Sequence, residues 1–135
     1  MLMKEKVKIS IDLMGGENSP NKTLEGINFF IKRNKKLDDY FFYLFGDKST
    51  VDEKIKKISI SKKNYELIDT KGIVSDDLSA LSAIKKGKGS SMWNSIESQN
   101  SLNADISLSA GNTGVLLVMS KSILKTLEGV DKPAL

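Results

Sequence analysis

Strand-length apolar runs take turns with helix-spaced segments along this chain, and that alternation limits the fold more than any other feature of the sequence. Val7 to Leu13 alternates apolar with polar residues and closes in Met14-Gly15-Gly16, which reads as a first strand. After Pro20, Leu24, Ile27, Phe30 and Ile31 recur at helical spacing, so a first helix is expected over 21–36. The aromatic run Phe41 to Gly46 reads as a second strand, Asp47 to Thr50 as the start of a helix with apolar positions at Val51, Ile55 and Ile58, and Tyr65 to Ile68 as a third strand. The pattern weakens from Thr70 to Leu78. Leu81 and Ile84 then mark a short helix, and Met92 to Leu102 a longer one. Asp105 to Leu108 has the bulk of a buried fourth strand, and the apolar residues from Val115 to Leu127 suit a largely buried helix. Strands separated by helices imply a parallel sheet covered by helices. At the end, Lys132-Pro133-Ala134-Leu135 resembles the start of another strand, as if the sheet continued.

With 135 residues the chain is long enough for one ordinary core and too short for a two-domain enzyme. Charges within Met1 to Lys6 stand where a secretory signal needs its apolar core, and no segment reads as a membrane span. A soluble cytoplasmic protein is expected. Cysteine and histidine are both absent, which excludes a disulfide frame, a thiolate nucleophile, a zinc site of the usual N/S type and a Ser-His-Asp triad. Any chemistry rests on carboxylates, hydroxyls, lysines, amides and backbone dipoles. Arg33 is the lone arginine among 21 basic residues, and the aromatic residues are not gathered around the lysines, so the net charge of +4 does not point to nucleic acid. Neither a cofactor nor a metal is expected.

In an open parallel sheet, ligands gather at the carboxyl ends of the strands. Two marked loops fall there. In Ser109-Ala-Gly-Asn-Thr-Gly114, Gly111 and Gly114 let backbone amides approach a ligand while Asn112 and Thr113 supply an amide and a hydroxyl at a helix N-terminus. The turn is either an anion cradle or a connection in which Asn112 or Thr113 merely caps the helix. In the loop from Asp12 to Pro20, Asp12 either positions a substrate or cation or organises the loop by accepting amide hydrogen bonds. Gly15-Gly16 lacks the spacing of a dinucleotide fingerprint, which discounts NAD. Lys85, Lys86 and Lys88 precede Ser90-Ser91, which either contact phosphate or begin a helix with Ser90 as its cap. The Gly-Lys-Gly-Ser-Ser run there is no P-loop. Lys54, Lys56, Lys57, Lys62 and Lys63 form a basic patch read as a solvated face.

Taken in order, the segments Asp12-Leu-Met-Gly-Gly-Glu-Asn-Ser-Pro20, Phe45-Gly-Asp47, Ser90-Ser-Met92, Ala104-Asp105, Ser109 to Gly114 and Gly129-Val-Asp-Lys-Pro-Ala-Leu135 resemble the amino-terminal part of bacterial phosphate acyltransferase of the PlsX type. The resemblance covers essentially the whole chain and rests on several motifs in one order. It implies a three-layer α/β/α fold with a mainly parallel sheet, isopropylmalate-dehydrogenase-like, and truncated: residues 1–135 would be the amino-terminal part of a single domain whose carboxy-terminal part is missing. The implied reaction converts acyl-acyl-carrier-protein and inorganic phosphate to acyl phosphate for phospholipid synthesis. The implied partners are acyl-carrier protein, inorganic phosphate, a membrane glycerol-3-phosphate acyltransferase and a second copy in a homodimer, at the inner face of the cell membrane. Asn112, Thr113 and Asp12 would then be catalytic, and Gly15, Gly16, Lys85, Ser90, Ser91, Ser109, Gly111 and Gly114 would bind phosphate or substrate. The family pattern Asp-Ala-Met-Gly-Gly-Asp carries Leu13 and Glu17 here, Asn18 replaces a histidine, and Lys85 and Lys132 stand for arginines, keeping charge without the planar fork. The alternative expectation is a non-catalytic remnant of a truncated or split gene with at most weak anion binding.

Overall fold

A computed structural model describes residues 5–75 and 77–133. Residues 1–4, 76 and 134–135 lie outside the described residues, among them the end of the further strand expected from Lys132 to Leu135. In chain order the elements are β1 (Val7–Asp12), α1 (Asn21–Arg33), β2 (Tyr40–Gly46), α2 (Lys48–Ile55), β3 (Tyr65–Asp69), α3 (Ala80–Lys86), α4 (Ser91–Ser101), β4 (Ile106–Leu108) and α5 (Thr113–Leu124). All strand pairs are parallel, in the order β3-β2-β1-β4. The expected α/β architecture is therefore present.

Strand alternation assigns the two faces. Ile9 and Ile11 pair in register with Phe42 and Leu44 and turn to one side, where Leu24, Ile27 and Ile31 of α1 and Val51 and Ile55 of α2 complete the larger core. Phe30 stacks edge-on against Tyr40 and Phe42 there. Ser10 and Asp12 turn to the other side, beneath α4, and both are buried. They do not form the solvated face that apolar-polar alternation usually signals. The reason is a polar seam: the hydroxyls of Ser10, Ser107 and Ser98 donate to the Ser95 carbonyl at 2.5, 2.7 and 2.7 Å. The buried face of α4 includes Ser91, Ser95 and Ser98, so small side chains bring the helix close while the hydroxyls of Ser95 and Ser98 donate to the Met92 and Ser95 carbonyls.

Two expectations fail at the far edge. The segment from Asp105 to Leu108 is not a buried strand: β4 begins at Ile106, pairs among the described residues only with β1, and leaves Ile106 and Leu108 45% and 46% exposed. α5 buries only Val115 and Met119, against Ala83 of α3 and Met92 and Ile96 of α4. It rests on those helices, not on the sheet, so its remaining apolar residues stay partly exposed; Leu127 lies past the helix and is exposed. The first helix also stops at Arg33, because Asn34 turns extended. No helix among the described residues is long and apolar enough to cross a membrane.

Candidate functional site

The loops after β1 and β4, far apart in sequence, meet at the carboxyl edge of the sheet. Asp12, the last residue of β1, is 1% exposed. Its Oδ1 accepts hydrogen bonds from the amides of Met14 and Gly15 at 3.0 and 3.1 Å, and its Oδ2 accepts from the Ser109 hydroxyl at 2.7 Å. Ser109 Oγ in turn accepts from the Gly111 amide at 3.1 Å. Hydrogen bonds to a carboxylate are stronger than neutral ones, so this relay from Gly111 through Ser109 to Asp12 ties the two loops together. Of the two roles open to Asp12, the geometry displays the organising one.

The glycines are there because the loops touch. A Cβ on Gly15 would stand 2.8 Å from Ser109 Oγ and 3.0 Å from the Gly111 amide nitrogen, closer than packing allows. Gly16 has φ +89°, a conformation other residues rarely adopt, and its backbone lies against Ala110. Ser19 closes the loop by donating its hydroxyl to the Gly15 carbonyl. Asp12, Gly15, Gly16, Ser109 and Gly111 are thus brought together as expected of a single crevice.

The turn continues into α5. Asn112 is its N-cap, with Oδ1 accepting from the Val115 amide at 3.0 Å. Thr113 and Gly114 are exposed in the first turn, which holds no acidic residue. The amides of such a turn lack helical partners, and the helix dipole adds positive potential. Met92 of α4 packs against Gly111, which carries the N-terminus of α4 to the same edge. There Ser90 caps α4, accepting from the Trp93 amide at 3.2 Å, and Ser90 and Ser91 are both buried. Lys85 is exposed in the last turn of α3, the helix packed beside α5.

Elsewhere, a hollow at the ends of β2 and β3 is bordered by Lys48, Asp69, Thr70 and Lys71. The helix N-terminus beside it is already served: Asp69 accepts from the Lys48 amide and Asp47 from the Ser49 amide, each at 2.9 Å. The basic patch is a surface feature. Lys54 donates to Asn21, and Lys56 and Lys63 pair with Glu53 and Asp38 at 2.5 and 2.7 Å, all at exposed positions. The serine seam under α4 was the polar feature least visible in the sequence; its only signal is the spacing of Ser91, Ser95 and Ser98 on one helical face.

The model of a family described as fatty acid synthesis protein matches residues 7–135. The chain is 44% identical over 133 residues to the phosphate acyltransferase of Pelagibacter ubique (strain HTCC1062), an alignment covering 98% of this chain and 38% of that protein. It is 37% identical over 134 residues to the phosphate acyltransferase of Rhodopseudomonas palustris (strain BisB5), and 35% identical over 133 residues to that of Rhodospirillum rubrum; each alignment covers 98% of this chain and 37% of the relative. The chain therefore spans under two fifths of the length of the curated relatives it matches.

Proposed function

The chain belongs to the fatty acid synthesis protein family, and from that premise we propose that it supplies the phosphate-binding part of an acyltransferase that makes acyl phosphate from acyl-acyl-carrier-protein and inorganic phosphate. The observation that carries the reading is the tied pair of loops ending at the exposed first turn of α5. Phosphate is held there by the Asn112 carboxamide, the Thr113 hydroxyl and the amides at Thr113 and Gly114. One phosphate oxygen attacks the thioester carbon. A C–O bond forms, the C–S bond breaks, and the sulfur leaves as the carrier thiol after taking up a proton from the phosphate. Amides of the Gly15-Gly16 loop, with the Lys85 ammonium as the cation, stabilise the oxyanion in this reading. Asp12 acts as a positioning residue through Ser109 and Gly15. Ser90 and Ser91 shape the floor of the cleft from the start of α4. No step calls on histidine or cysteine. Acyl-carrier protein is the acyl donor, and the acyl phosphate passes to a membrane glycerol-3-phosphate acyltransferase, so the working place is the inner membrane face. Pairing of two copies belongs to the same reading.

The test is acyl phosphate formation from acyl-carrier-protein thioester and phosphate. It is assayed with this chain alone and with the remaining length of the Pelagibacter relative supplied as a separate polypeptide. Product is expected in the mixture. With no product in either case the chain is the non-catalytic alternative. In the active mixture, Asn112→Asp keeps an oxygen to cap α5 but sets a negative charge at the phosphate position, so turnover should fall about a hundredfold. Lys56→Ala, on the solvated patch, should leave it unchanged. Equal effects from the two would displace the phosphate from this turn.

A further inference from the structure

A groove of about 450 Å³ runs along the α1-side face of the sheet, between α1 and the exposed edge strand β4. Its walls are hydrocarbon: Ile9, Ile11 and Phe42 from the sheet, Ile27 and Phe30 from α1, and Leu108 from β4. Polar groups come at one end. Asp12, Ser109 and Ala110 lie there at the carboxyl ends of β1 and β4, together with Lys22 and Thr23 at the start of α1. That end is the tied loop junction of the candidate site. An apolar groove that meets polar groups at one end fits a ligand with a polar head and a hydrocarbon tail.

We propose that the groove seats the hydrocarbon tail of the acyl thioester, with its carbonyl delivered to the Asp12–Ser109 junction. The assignment rests on the acyltransferase reading and adds to it the place of the acyl chain and the face by which it enters. It also accounts for Leu108 standing half-exposed toward the groove, and for Gly26. This helical glycine lines the groove, and a Cβ there would meet nothing within 4 Å. A large side chain at position 26 can therefore fill the slot without disturbing the core.

The probe is the pantetheine thioester of cis-parinaric acid, whose polyene tail brightens on leaving water. Wild-type chain is expected to enhance its emission, and Gly26→Phe and Leu108→Glu should each weaken binding about tenfold, the effect of losing roughly two buried methylenes. Lys56→Ala should change nothing. Thermal melts check that the variants fold, and Gly26→Phe should not melt below wild type, since it removes a glycine from a helix interior. Equal affinity in wild type and both groove variants, or no binding by wild type, overturns the proposal. Line broadening of inorganic phosphate in 31P spectra is read separately. Thioester binding that answers to Gly26→Phe with no phosphate broadening keeps the groove and overturns the phosphate reading; broadening with groove-insensitive thioester binding does the reverse.

Discussion

Gly15 and Gly26 show how differently one residue type can be used. At Gly15 an added methyl collides with Ser109 and the Gly111 backbone, so Gly15→Ala should destabilise the fold by about 1–3 kcal/mol. At exposed Gly26 nothing is in the way, and Gly26→Ala should stabilise by about 1 kcal/mol through helix propensity. Urea midpoints moving in opposite directions would check both. Ser109→Ala removes a donor from a buried carboxylate and should cost about 1.5–3 kcal/mol, read the same way. The residues of this junction were legible as a pair of suspicious loops because glycine, asparagine and aspartate cluster after strands. Their partners were not. Which oxygen of Asp12 faces Ser109 depends on strand order, and one sequence read by period carries no information about which strands are neighbours.

At the scale of elements, caps do much of the work of delimiting helices. Ser90 is buried and caps α4, so Ser90→Ala should lower stability by about 1 kcal/mol in a denaturant titration. Asp47 caps α2, and its carboxyl is held below the usual value of 3.8 chiefly by the Ser49 hydroxyl. A folded value below the unfolded one means that the cap helps above the ordinary carboxylate range and fades as pH falls through the lowered folded value. The Ser49 amide resonance should report that loss on the acid side of 3.8, and Asp47→Asn, a cap that does not titrate, should flatten the curve. The start of α2 at Asp47 was readable in advance and a cap was one of two readings open to Ser90, while β1, β2 and β3 were marked by their apolar runs. Failure came at β4 and α5. Their composition is that of buried elements, but burial is set by what packs on them, and among the described residues β4 has a neighbour on one side only.

At the scale of the whole molecule, β4 stands at an edge of the sheet among the described residues, with Ile106 and Leu108 about half exposed. Exposed strand edges recruit other strands. The isolated chain should therefore associate as its concentration rises, and Ile106→Lys should reduce this in sedimentation velocity; a concentration-independent monomer of the wild-type chain would contradict it. The parallel architecture followed from the alternation of periods because a parallel sheet needs a crossover between each pair of strands. Family membership came from motif order, which physical patterning alone does not supply.

The hydrogen bond from Ser109 to Asp12 spans 97 positions. β1, β2 and β3 can assemble from neighbouring crossovers, but β4 must find β1 across most of the chain, and contacts of such separation form slowly. During synthesis, Asp12 emerges early and waits through nearly every other element before the hydroxyl that completes its shell exists. Assembly of the loop junction is therefore a late kinetic event, and a nascent chain ending before Ser109 holds the carboxylate without the second loop it is there to fasten.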